Sequence, residues 1–364
     1  MIPRTAARSW TGALLAGRYA VRELVDETPS ASVLHAEDTR VGRLVTIRVL
    51  RAGLGVTSSA GRRLQREARI AAAIGHPNVC EASDMGVLED GAPFAVHERL
   101  VGETLDEAIR VQGALPISSS LDIALQVLSG LEASHARGIV HGALQPELVF
   151  LVRRLGCTPL VKICGFGEDL AAPPSERHGP AAHFLAPEQV RGRLPPDGRA
   201  DIYACGAVLY EMLTGMRPFT APDAPALLDE ILGAPLRDPR TLRRDLPASL
   251  ATIVLRAMER EAAARFPSAL EMQRAIRAAQ AEAETKGSYS LRTVLRTDEH
   301  AAVPPSRIRD AQATVPSWED VTVEGALEET LTVVRQKEPP SIPLYGHGGE
   351  ESVTKIADDG DRHS

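Results

Sequence analysis

Residues 201–215 read Asp-Ile-Tyr-Ala-Cys-Gly-Ala-Val-Leu-Tyr-Glu-Met-Leu-Thr-Gly. Apolar side chains fall on nearly every side of a 3.6-residue period, which predicts a buried helix. Gly215 is suited to cap its C-terminus. Downstream, Leu250–Glu259 and Ser268–Ala281 predict further helices. Upstream, Leu121, Leu125, Leu128 and Leu131 recur at helical spacing, with His135 next on the stripe. Nearer the N-terminus the pattern changes. Arg43–Leu50 is β-branched and strand-like, and Ala92–Leu100 reads as a second strand. Between them, Gly61–Ile74 has no internal glycine or proline. Its Leu64, Ala68, Ala71 and Ala72 share a helical face, and Gly75-His76-Pro77 ends it. A sheet-rich half followed by a helix-rich half is an α+β arrangement.

The bulk composition narrows the function classes. The chain has 364 residues and a formal net charge of −7, which gives no electrostatic reason to expect nucleic acid or an anionic membrane as partner. No apolar run reaches the ~18 residues of a membrane span. Residues 1–17 form a short Ala/Gly-rich leader without the apolar core of a signal peptide. A soluble cytoplasmic protein is the expectation. The four cysteines, Cys80, Cys157, Cys164 and Cys205, contain no CxxC pair, so they read as reduced thiols rather than a zinc site or disulfide framework. Residues 281–364 shift to Thr, Ser, Pro and acidic residues without sustained periodicity, the composition of a disordered tail.

Several short segments then fall into one order. His76-Pro77-Asn78-Val79 follows the first helix. Ala186-Pro187-Glu188 precedes the buried helix, and Arg265-Phe266-Pro267-Ser268-Ala269 comes near the end. In these segments the chain resembles the bacterial eukaryotic-type (Hanks-type) serine/threonine protein kinases, over about residues 18–280. The resemblance implies a two-lobed fold, with a small β-rich N-lobe at 18–100 and a larger helical C-lobe at 101–280. It also implies a Glu188–Arg265 ion pair and an Asp201 that anchors the catalytic loop.

The same resemblance marks what has been replaced. Phosphoryl transfer in the family needs a glycine-rich loop, a phosphate-holding lysine, two magnesium ligands and an aspartate that accepts the substrate proton. Here the loop reads Asp26-Glu27-Thr28-Pro29-Ser30-Ala31-Ser32-Val33, without the glycines. Asp26 and Glu27 would repel a triphosphate, and Pro29 lacks an amide donor. The lysine aligns with Arg48, whose helix partner is Glu67. The pair reads as a strut orienting the lobe, or as two solvated charges. The catalytic loop is His141-Gly142-Ala143-Leu144-Gln145-Pro146-Glu147-Leu148-Val149. Ala143 replaces the proton-accepting aspartate, Gln145 the phosphate-contacting lysine and Leu148 the magnesium asparagine. The metal-binding aspartate aligns with Gly165, in Gly165-Phe166-Gly167. The arginine that meets a phosphorylated activation loop is Gly142, and the threonine that helps select a hydroxyl substrate is Ala181. Between Gly167 and Pro187 the only hydroxyl is Ser175. Glu168 and Asp169 are the carboxylates near enough in sequence to compensate, followed by Glu147, whose equivalent the family uses structurally.

The residual nucleotide-pocket positions are Val33, Arg48, Glu67, His97, Glu98 and Leu100, with Thr46 and Phe150 altering the pocket. His97 stands at the gatekeeper position and reads as a packed histidine rather than a pH sensor. The resemblance therefore implies a catalytically degenerate member, a pseudokinase, with no metal, no catalytic residues and no cofactor beyond weak ATP binding. The alternative is a divergent active kinase. A scaffold or allosteric regulator would act on a protein partner such as an active protein kinase. Thr314, Thr322, Thr330, Thr332 and Thr354 lie among acidic residues and could be phosphorylated for a phosphothreonine-binding domain, or the tail is a plain solvated linker.

Overall fold

The computed structural model describes residues 10–51, 53–154, 158–167, 180–192 and 195–285. Cys157, Glu168, Asp169, Ser175 and the tail threonines lie outside them.

A six-stranded antiparallel sheet in the order β1-β2-β3-β4-β6-β5 forms the first lobe. Its strands are β1 (Leu14–Leu15), β2 (Tyr19–Glu27), β3 (Ala31–Asp38), β4 (Arg43–Leu50), β5 (Ala82–Val87) and β6 (Pro93–Glu98). Alternation sorts their side chains onto two faces. Leu34, Ala36, Val45, Ile47, Val49, Phe94 and Val96 pack on one face with Tyr19 and Val21. Ala31, Leu50 and Ala95 on the other meet Leu64, Ala68 and Ala71 of α1 (Ser59–Ile74). Ser58 caps α1, its hydroxyl accepting from the Gly61 N–H at 2.9 Å, and Gly75 ends it with φ of 56°.

The lobe begins earlier than the resemblance places it. Trp10 and Leu15, from the stretch read as a leader, are buried in the first face's core, and Leu14–Leu15 pairs with Tyr19–Ala20. The strand read as Ala92–Leu100 also stops at Glu98, so Arg99 and Leu100 belong to the connection between the lobes.

The second lobe opens with β7 (Gly102–Thr104), α2 (Leu105–Gln112) and α3 (Ile117–His135). Strands β8 (Val149–Val152) and β9 (Leu160–Ile163) complete the three-stranded sheet β7-β8-β9. Helices α4 (Pro187–Val190), α5 (Gly198–Thr214), α6 (Ala224–Gly233), α7 (Ala248–Ala257) and α8 (Ala269–Thr285) follow. Helix α5 is the buried helix read from residues 201–214, preceded by an extra turn that Asp197 caps, and it ends at Gly215 with φ of 70°. Its Gly206 lets α7 approach closely, since a methyl group there would sit 2.8 Å from Ala257 Cβ. No helix among the described residues is long and apolar enough to cross a membrane.

Candidate functional site

The loop at 141–149 is held from below by Asp201. This fully buried carboxylate accepts from the N–H of His141 at 2.8 Å and of Gly142 at 2.7 Å, and its Oδ2 lies 2.7 Å from His135 Nε2. Three partners offset the cost of burying the charge. His141 is itself buried, and burial pushes it towards the neutral form. In that form Nε2–H donates to the Cys164 carbonyl at 2.9 Å while Nδ1 accepts from the Ala143 N–H at 3.3 Å. The ring packs on Phe166 with centroids 4.5 Å apart. Gly142 has φ of 74°, and its carbonyl accepts from Gln189 Nε2 at 2.7 Å. The Glu188 carboxylate takes two N–H groups of Arg265, each at 2.7 Å, and Arg265 fills its remaining donors with the carbonyls of Arg199, Glu259 and Arg260. Every sequence expectation about this framework is met.

The reactive positions are apolar or sequestered. Ala143 and Leu148 are buried, and Gln145 is buried with its Oε1 unpaired. Leu148 packs into the space in front of Gly165. A Cβ at 165 would lie 3.0 Å from Leu148 Cδ1, and the backbone there has φ of 79°, which disfavours side chains. Of the carboxylates considered as substitutes, Glu147 lies 3.7 Å from Arg217, which is also 3.6 Å from Glu211. Burial pushes both carboxyls up, Glu211 to about 7.

The roof of the cleft follows from register. Val33, Arg48 and Ala95 form one cross-strand row; Glu23, His35, Thr46 and His97 form another, two residues along and on the same face. Arg48 reaches Glu67 on α1 at 3.5 Å, half-buried, so the strut reading describes this contact better than two solvated charges. Arg66 on the same helix donates to the Gly167 carbonyl at 3.1 Å. Thr46 Oγ1 and His35 Nδ1 are buried without a hydrogen bond, His35 Nδ1 standing 3.7 Å from Glu23. Phe150 is buried in β8.

Two features escaped the sequence. Glu98, read as a pocket residue, turns its carboxylate away: Oε1 accepts from Lys162 Nζ at 2.6 Å and from the Glu81 N–H at 2.8 Å. A lone lysine inside the apolar run Leu160–Ile163 was the available signal. The second is the β2–β3 turn. Thr28 N–H donates to the Ala31 carbonyl at 2.8 Å, and the Ala31 N–H donates back to Thr28 Oγ1 at 3.0 Å. With Pro29 lacking a donor, the turn spends these amides on itself.

Comparison with known proteins agrees with this geometry. The model of the protein kinase domain family matches residues 19–269. The chain is 33% identical over 276 residues to the probable serine/threonine-protein kinase PknB of Bifidobacterium longum, covering 72% of this chain and 39% of that protein. It is 34% identical to the serine/threonine-protein kinase PksC of Streptomyces coelicolor, covering 72% and 49%. It is 29% identical to the serine/threonine-protein kinase pkn3 of Myxococcus xanthus, covering 87% and 61%. The chain thus spans between 39% and 61% of the length of these relatives. The crystal structure of the Mycobacterium tuberculosis PknI kinase domain superposes with a TM-score of 0.58 at 24% identity, over 75% of this chain and 99% of that one, and speaks to the fold. The chain belongs to the bacterial serine/threonine protein kinase family.

Proposed function

We propose that this chain is a pseudokinase, a kinase-fold module that serves as a signalling scaffold or allosteric regulator of a partner protein and transfers no phosphate. The observation that carries the reading is the packing of Leu148 against Gly165. Both family positions for magnesium ligands hold hydrocarbon or nothing, and the side chain of one fills the volume of the other. Magnesium prefers about six oxygen ligands in octahedral array, and Ala143, Leu148 and Gly165 supply no side-chain oxygen. The residues present do not fit a magnesium–nucleotide complex. The self-bonded turn at Thr28–Ala31 adds support, because a phosphate cradle needs free amides. A missing general base alone removes a factor of ~10²–10⁴. Incubation with labelled ATP, Mg²⁺ or Mn²⁺ and a generic protein substrate tests the proposal. Incorporation should match a heat-killed control, and anything reproducibly above it ends this reading.

A second reading, a divergent active kinase, draws on the relatives, all three of which carry the name serine/threonine-protein kinase. The Arg48–Glu67 contact and the anchored loop also suit it. A nucleotide-dependent rise in melting temperature that disappears in Arg48→Ala would favour this reading over the first.

The partner in the proposal is another protein, either an active kinase or a phosphothreonine-binding domain that reads the tail threonines. Cytoplasmic residence belongs to the same proposal. Affinity capture with tail threonines changed to alanine separates the two kinds of partner, since only the second should be lost.

A further inference from the structure

Two cysteines that the sequence separates by more than eighty positions meet behind the cleft. Cys80 follows the loop that leaves α1, and Cys164 stands between β9 and Gly165. Val79 and Ile163 pair in a parallel bridge. Ile163 N–H donates to the Asn78 carbonyl at 2.9 Å and Cys80 N–H donates to the Ile163 carbonyl at 2.8 Å. That register sets Cys80 alongside Cys164. Neighbouring strands lie ~4.8 Å apart, inside the ~4.4–6.8 Å that Cα atoms span across a disulfide. Ala82, two residues beyond Cys80, pairs with His97 across the sheet, and the Cys164 thiol and the His97 ring both stand near enough to the Cys80 thiol to influence its charge. Cys80 is buried and Cys164 half-buried, so Cys164 is the more accessible of the two.

We infer that Cys80 and Cys164 are a peroxide-reactive pair that closes to a disulfide, with His97 taking the proton from Cys80. The Cys164 thiolate attacks one oxygen of hydrogen peroxide. The S–O bond forms, the O–O bond breaks, and the departing hydroxide leaves as water with the proton Cys164 released. Cys80 then passes its proton to His97, and its sulfur attacks the Cys164 sulfur. The S–S bond forms, the S–O bond breaks, and the second hydroxide leaves as water with the proton from His97. Two thiols and one peroxide become one disulfide and two waters, and the two electrons lost by sulfur are gained by the peroxide.

The surroundings suit these roles. The neighbouring Cys164 thiol, and then burial, hold the Cys80 thiol well above its ordinary value, so it needs a base before it can attack. Burial opposes charging of His97, but Cys80 and the Glu67 carboxylate outweigh it and leave the imidazole more basic than usual. The backbone bonds around Ile163 already hold the two cysteines in register, so closure asks for side-chain rotation rather than movement of strands. The third described cysteine, Cys205, is buried within α5. The inference holds whether or not the chain transfers phosphate.

The test treats the full chain with equimolar hydrogen peroxide, alkylates remaining thiols and maps peptides without reduction. The expected product is a peptide linking Cys80 to Cys164, lost on dithiothreitol treatment. In His97→Asn, trapping with dimedone should show Cys164 sulfenic acid formed at the wild-type rate. Its conversion to the disulfide should be about 100-fold slower, the low end of what a general base supplies. Wild-type protein that keeps both thiols alkylatable, or links either one to Cys157 or Cys205 instead, overturns the pair. Unslowed closure in His97→Asn overturns the role of the histidine. The wild-type map decides the pairing by itself if a variant fails to fold.

Discussion

Leu148 and Gly165 compete for one volume: a first side-chain carbon at 165 would lie 3.0 and 3.1 Å from the two Leu148 methyls. Restoring the family's aspartate alone should therefore be harmful. Gly165→Asp is expected to lose about 1–2 kcal/mol from the positive φ and the crowding. Combined with Leu148→Asn, the loss should be smaller than the sum of the two singles by about 1 kcal/mol. Urea denaturation of the four proteins in a double-mutant cycle measures the coupling, and strict additivity would show that the two positions do not compete.

Asp201 holds its loop through two backbone donors and a histidine. Asp201→Asn keeps the shape but turns an amide NH₂ towards one of those donors. A loss of about 3 kcal/mol is expected, in the range for breaking a buried charged network. Hydrogen exchange at His141 and Gly142 should accelerate by a larger factor than in α7. A uniform change over both would assign the cost to general destabilisation.

Lys162 and Glu98 form a buried pair at 2.6 Å, with side chains 9% and 15% exposed. Lys162→Met should cost about 3 kcal/mol because it leaves the carboxylate with only the Glu81 amide. Adding Glu98→Gln should recover part of that cost. Equilibrium unfolding of the single and double variants is the measurement. A neutral Lys162→Met would mean that the pair contributes nothing.

Glu211 gives a pH dependence whose sign is fixed. Burial raises its carboxyl from 4.5 to about 7, so the folded state binds more protons than the unfolded state between those values. Stability then falls as pH rises through that window, and the penalty is complete above about 7. Burial lowers His141, His35 and His183, so these residues act in the opposite sense. The informative quantity is the difference between Glu211→Gln and wild type. Relative to wild type, the variant should gain on the order of 1–2 kcal/mol between pH 5 and pH 8. A pH-independent difference in chemical denaturation would contradict the assignment.

How legible these features were depended on whether they were local. The buried helix of residues 201–214, its glycine cap, the strand Arg43–Leu50 and the helix ending at Gly75 all follow from periodicity and termination signals carried by adjacent residues. The degenerate loop was legible because each position aligns with a short motif. What stayed hidden depends on register between distant segments. Nothing in Leu160–Ile163 says that Lys162 will meet Glu98, and nothing around Cys80 says that Ile163 will run beside Val79. The packing of Leu148 against Gly165 is also tertiary: the two substitutions were visible, but their shared volume was not. The closed turn at Thr28 was missed for another reason. Loss of glycine could be read, but reciprocal bonding by the threonine that took its place could not.

Trp10 and Leu15 complete the apolar layer of the first lobe although the family match starts at residue 19. An expression fragment trimmed to the family boundary would remove a plug from that layer. The core cluster that also holds Val21, Leu34 and Phe94 would be left incomplete. Such a fragment would tend to self-associate in solution, and a dimer seen with it would report on the cut rather than on the protein.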